Sequence, residues 1–127
     1  MKQAVGIFGF AAALAMGMSL AHAAGDAAEG EQVFKKCKAC HVIDSEKNRL
    51  GPHLVGIVGR AAGSVDGFKY STAMAEAGVT WDEATLDQYL ADPKGMIPKN
   101  RMAFPGLKKE EDRANVIAYL KQAGAGS

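Results

Sequence analysis

The residues best suited to chemistry sit in one short run, Lys35-Lys36-Cys37-Lys38-Ala39-Cys40-His41-Val42. Cys37 and Cys40 are the only two cysteines among 127 residues. Three chemistries suit such a run. A redox dithiol belongs at the start of a helix that follows a strand, in an α/β chain. A zinc site needs four ligands, or three and a water. Beyond residue 23 the Cys and His side chains on offer are Cys37, Cys40, His41 and His53, and adjacent Cys40 and His41 would strain one tetrahedron. The third chemistry is covalent attachment of haem. Two thiols add across the porphyrin vinyl groups, and the histidine that follows aims its imidazole at the iron. A disulfide between Cys37 and Cys40 would close a very small loop and stabilise little.

The amino end bears on this choice. Lys2 is followed by the uncharged run Ala4 to Ala21, and the run closes with Ala21-His22-Ala23. Small residues in that spacing mark a signal-peptidase site. The expected organisation is a signal peptide over 1–23 and one domain over 24–127; retention of the run as a membrane anchor is the alternative. Export would put the thiols in an oxidising compartment. Loss of Lys2 from the 15 basic and 14 acidic side chains leaves the mature chain balanced. A neutral protein has no bulk attraction to nucleic acid or anionic lipid. The charge is nevertheless uneven. Lys35, Lys36 and Lys38 flank the cysteines, and Lys94, Lys99, Arg101, Lys108 and Lys109 form a second basic region.

Helices with irregular links must position this run. The pattern predicts a helix from Asp26 to about Lys38, with a capping box at Asp26 and Glu29 and with Gly30, Val33 and Phe34 on one face. Cys37 to His41 would end it, which is the wrong place for a dithiol. A short helix is expected at Ser71 to Ala77. Another is expected from Trp81 to Ala91, capped by Thr80 with Glu83 and apolar at Leu86, Tyr89 and Leu90. Asp92-Pro93 stops it. Residues 92–107 hold several prolines and glycines and read as irregular. A last helix is expected from about Lys108 to Ala123, buried through Val116, Ile117 and Leu120. The chain is therefore all-α, with about four helices. Its long loops need something large to wrap around, and haem would serve. Of the methionines outside the leader, Met74 and Met96 read as packing. Met102 precedes Phe104-Pro105-Gly106, which can hold a loop rigidly against a flat cofactor.

Beyond the cysteine run, the chain carries G-x-x-x-F at 30–34, L-G-P-H-L-V-G-I-V-G-R at 50–60 and F-K-Y-S at 68–71. It continues with V-T-W-D-E-A-T-L-D-Q-Y-L-A-D-P at 79–93, I-P-K-N-R-M-A-F-P-G at 97–106 and V-I-A-Y-L at 116–120. In this order the segments resemble a class I c-type cytochrome, of the small mitochondrial and bacterial kind, over nearly the whole mature chain. The resemblance implies the cytochrome c fold around one covalently bound haem c. It implies Cys37 and Cys40 as the thioether cysteines, His41 as fifth iron ligand and Met102 as sixth. It implies that the Pro52 carbonyl takes the other imidazole N–H, which fixes the tautomer and aims the ring. Tyr70 and Trp81 would hydrogen-bond a propionate, with Arg60 as charge partner, and Tyr89 would lie near the Met102 sulfur. Asn100 stands where a threonine near a propionate is usual, and Met74 where an asparagine is usual.

The implied function is electron carriage in the periplasm, without enzyme activity. His and Met would stay bound through one-electron cycling, so no position is left for a substrate. The partners implied are membrane or periplasmic redox proteins: a cytochrome bc complex as donor, and an oxidase, peroxidase or photosynthetic reaction centre as acceptor. The chain would work as a monomer, with lysines steering an acidic partner to the haem edge. A haem enzyme or ligand sensor with a labile sixth position is the alternative.

Overall fold

A computed structural model describes residues 25–125. The signal peptide expected over 1–23 lies outside them. Five helical segments follow in order: α1 (Ala27–Phe34), α2 (Thr72–Ala75), α3 (Glu83–Ala91), α4 (Pro93–Met96) and α5 (Glu110–Ala123). Among the described residues the only bridge between extended segments is an isolated antiparallel pair, Ala61 with Thr80.

The caps explain where the helices start. The Asp26 carboxylate accepts from the Ala28 and Glu29 amides at 2.9 and 3.1 Å, which satisfies two donors that a helix start leaves open. Ser71 caps α2 through Met74 N–H at 3.0 Å. At α3 the cap is Asp82, bonded to Thr85 N–H at 2.8 Å, and not the expected Thr80. The reason lies in the backbone: Trp81 N–H still donates to the Arg60 carbonyl at 2.9 Å, so 80–81 remain extended. α5 starts at Glu110 without a side-chain cap; Glu110, Glu111 and Asp112 instead place negative charge at its positive end.

Two further boundaries differ from expectation. α1 ends at Phe34, short of Lys38. The amides of Lys35, Lys36 and Cys37 bond three residues back, to Gln32, Val33 and Phe34, so the chain tightens into turns before the cysteines. Residues 92–107 are not wholly irregular, because Pro93–Met96 form one helical turn. A proline at the first helical position loses only an N–H that had no helical partner, and Asp92 caps the turn through Gly95 N–H at 3.1 Å.

α1 and α5 cross tightly. A Cβ at Gly30 would overlap the Asn115 carbonyl oxygen and come within 2.8 Å of Tyr119 Cβ. The Phe34 and Tyr119 rings meet at 5.2 Å, and Asp26 N–H donates to Asn115 Oδ1 at 2.8 Å. Phe34, Trp81, Leu86, Val116, Ile117 and Leu120 share one buried core, in which α5 packs on both α1 and α3. Arg113 ties α5 to α3 through Asp87 at 2.7 Å and holds the Leu107 and Lys108 carbonyls as well.

Candidate haem centre

The cysteine run leaves α1 as a tight loop. Cys40 and His41 amides both bond the Cys37 carbonyl, at 3.1 and 3.0 Å. This one turn holds the two thiols and the imidazole in a fixed relation. Both cysteines are free and half-buried. Burial, reinforced by the neighbouring Cys40, pushes the Cys37 thiol up to about 11 despite nearby Lys36. A redox dithiol works through a thiolate of depressed pKa, so this thiol is set against that chemistry. Among the described residues no three His, Cys, Asp or Glu side chains gather as a metal site would require.

His41 Nδ1 lies 2.7 Å from the Pro52 carbonyl oxygen and donates to it. The proton is thereby placed on Nδ1, and Nε2 keeps its lone pair. Burial lowers the His41 pKa, the Pro52 bond opposes this, and Arg60 lowers it further. The ring stays neutral near pH 7, as an iron ligand must be. Gly51 packs on the ring: a Cβ there would come within 2.5 Å of His41 Cε1 and 2.9 Å of Nδ1. We expect Gly51→Ala to tilt the imidazole and break the Pro52 bond. The loss is about 1–3 kcal/mol, the range for overpacking, read as a lower denaturant midpoint monitored by haem absorption. No signal in the sequence revealed this contact.

Arg60 is half-buried. Its Nη1 donates to the His53 and Val55 carbonyls, both at 3.1 Å, and its buried Nε has no partner. Burial pulls its pKa below the ordinary value. A cation held there with an orphaned donor fits a carboxylate such as a propionate. Tyr70 stands against Phe68 at 4.9 Å, and its hydroxyl accepts from Val65 N–H at 3.0 Å. That bond uses an oxygen lone pair and leaves the hydroxyl proton to donate. His53 is half-buried and accepts from Val55 N–H at 3.2 Å.

The third group surrounds Met102. Tyr89 is buried and its pKa is pushed up to about 12 by desolvation, so the hydroxyl keeps its proton. It donates to Met102 Sδ at 3.9 Å, and the Trp81 ring packs on Tyr89 at 4.9 Å. Asn100, 4% exposed, donates to the Pro93 and Ile97 carbonyls at 3.0 and 2.9 Å and accepts from Met102 N–H at 2.7 Å. Both its donors are used inside the loop, so its geometry fits a loop brace better than a propionate donor. Met74 and Met96 pack half-buried against the core, as expected. Sequence reasoning missed Lys94, whose ammonium reaches this loop.

These groups are continuous. Pro52, bonded by His41, precedes His53, whose carbonyl holds Arg60; the Arg60 backbone pairs with Trp81; Trp81 packs on Tyr89; and Tyr89 reaches Met102. Fold and site together define a helical protein built round a covalently attached haem. The protein-family model for cytochrome c matches residues 27–124. Cytochrome c2 iso-2 of Magnetospirillum fulvum is 55% identical, covering 74% of this chain and 98% of its own. Cytochrome c of Chlamydomonas reinhardtii is 54% identical, covering 80% and 93%. The solved structure of cytochrome cH from Methylobacterium extorquens superposes with a TM-score of 0.74 at 49% identity, over 77% of this chain and 99% of that one. The chain belongs to the cytochrome c family, as a class I c-type cytochrome with the all-α fold of that class. It is an electron-transfer protein rather than an enzyme, and its cofactor is covalently bound haem c.

Proposed function

We propose that this chain is a periplasmic electron carrier whose haem is attached through Cys37 and Cys40 and ligated by His41 and Met102. Haem supplies a one-electron iron couple. The protein supplies the rest. Pro52 holds the His41 tautomer, Arg60, Tyr70 and Trp81 receive a propionate, and Tyr89 steadies the Met102 sulfur. The observation that carries the reading is the unbroken arc of contacts from His41 to Met102. An arc closed at both ends keeps the two ligands in place in both oxidation states, so little reorganises on electron transfer. Cleavage after Ala23 releases the domain 24–127 to the periplasm. No described helix is long and apolar enough to cross a membrane.

The partners in this reading are a cytochrome bc complex as donor and an oxidase, peroxidase or reaction centre as acceptor. Lys35, Lys36 and Lys38 are exposed beside the attachment turn. Leu50, 81% exposed, is carried by a loop whose next residue, Gly51, bonds Cys40. A basic rim with an apolar spot suits an acidic partner surface. We expect the rate of reduction by a bc complex to fall steeply with added salt, and Lys36→Glu to slow it about tenfold at low ionic strength. Stopped-flow kinetics check this, and salt-independent rates would overturn the docking reading. Ready binding of added ligand by the ferric protein would favour a sensor or haem enzyme instead.

A further inference from the structure

Lys94 is the second residue of the turn α4, and the loop that carries Met102 folds back over it. Its Nζ lies 2.6 Å from the Asn100 carbonyl oxygen, 3.2 Å from Asn100 Oδ1 and 3.0 Å from the Met102 carbonyl oxygen. An ammonium has three hydrogens, and all three have acceptors here. Asn100 is equally saturated. Its two amide hydrogens go to Pro93 and Ile97, and its oxygen takes Lys94 and the Met102 N–H. The peptide groups on both sides of Arg101 are thus gripped from one direction. The same loop carries strain: Lys99, at φ 70°, is the only described residue other than glycine in the left-handed region. That conformation persists only where the surroundings hold it.

We propose that Lys94 is a positioning residue for Met102, clamping the 100–102 backbone so that the sulfur is presented at a fixed place. The proposal rests on the reading of Met102 as iron ligand. Lys94 and Lys99 are both exposed, but it is Lys94 whose ammonium hydrogens are engaged with the loop. The clamp acts against displacement, because a sulfur on a loosened loop competes less well with an added ligand.

The test is imidazole binding to the ferric holoprotein, followed by loss of the far-red band that Met–S ligation gives. Lys94→Gln should bind imidazole about tenfold more tightly than the parent, the scale of a charge-assisted contact at a partly exposed site. Lys94→Arg, which keeps charge and donors, should stay within about threefold of the parent. Lys99→Gln removes an equal charge from the same loop and should leave the affinity unchanged. A Lys94→Gln protein with the band intact and parental affinity would overturn the clamp alone. An effect of Lys99→Gln as large as that of Lys94→Gln would also overturn it, since charge rather than contact would then be responsible. A parent protein without the band would overturn the ligand reading, and the clamp with it.

Discussion

With Met102 as the proposed sixth ligand, Met102→Ala is expected to abolish the far-red absorption of the ferric protein and to lower its reduction potential by on the order of a few tenths of a volt, a share of the ~0.8 V range that axial ligands command. The direction follows from the thioether. Met ligation raises the potential, and a harder ligand such as water in its place favours the ferric form. The substitution is a clean test because the backbone around it is held by other atoms. Asn100 Oδ1 accepts from the residue 102 N–H, and Lys94 donates to its carbonyl. Neither contact uses the sulfur, so the loop keeps its anchors while the thioether goes. One cost remains, because Tyr89 loses the acceptor at 3.9 Å and its buried hydroxyl is left unpaired. That adds about 1–3 kcal/mol of destabilisation. Absorption spectroscopy and redox titration read the outcome. An unchanged spectrum would mean that the sixth ligand is another residue.

The cysteine run can be read from sequence because its chemistry is local. Cys37, Cys40 and His41 lie within one turn, and spacing alone limits what three such side chains can do together. Met102 was not legible in that way. Only the Phe104-Pro105-Gly106 that follows it marks it over Met74 and Met96, and its role as iron ligand came from the resemblance to a family. In the structure all three pack half-buried against the core, and the Tyr89 hydroxyl reaches Met102. Distance along the chain hid other parts too. Gly51 is one letter of the 50–60 segment, yet it lies against the His41 ring. Lys94 reads as one charge in a solvated basic region, yet its three donors are spent on backbone and amide oxygens.

The helices divide on similar lines. The buried faces of α3 and α5 follow from the helical spacing of Leu86 with Tyr89, and of Val116, Ile117 and Leu120, and these residues are indeed buried. The ends were less legible because they depend on contacts from elsewhere. Thr80 is drawn into a bridge with Ala61, so Asp82 caps α3. α4 was missed because prolines and glycines were counted as breakers, although Pro93 suits a first helical position and Asp92 caps it.

Gly30→Val prevents the terminal helices from closing, and with them the loop that presents His41. A Cβ at residue 30 already overlaps the Asn115 carbonyl, which is helix backbone and cannot rotate away. The helices must part, which opens the contact of Phe34 with Tyr119 and the Asp26–Asn115 bond. The damage reaches the haem site by two routes. Cys37 N–H bonds Phe34, the last residue of α1, so the attachment turn moves with that helix. At the other end of α5, the Gly124 carbonyl accepts from Gly56 at 2.6 Å, and Leu54 two residues earlier bonds Val42 beside His41 at 2.8 Å. The expected loss is about 3 kcal/mol or more, the upper range for overpacking, since backbone and not a flexible side chain must yield. Glu31→Val, at the exposed neighbouring position, introduces the same β-branched side chain without the overlap and should cost under ~1 kcal/mol. Denaturant unfolding of the holoproteins, followed by haem absorption and by the only tryptophan, Trp81, compares the two. Equal losses would mean that the overlap with the Asn115 carbonyl is relieved without cost. A loss confined to Gly30→Val would tie the missing side chain at position 30 to the geometry of His41.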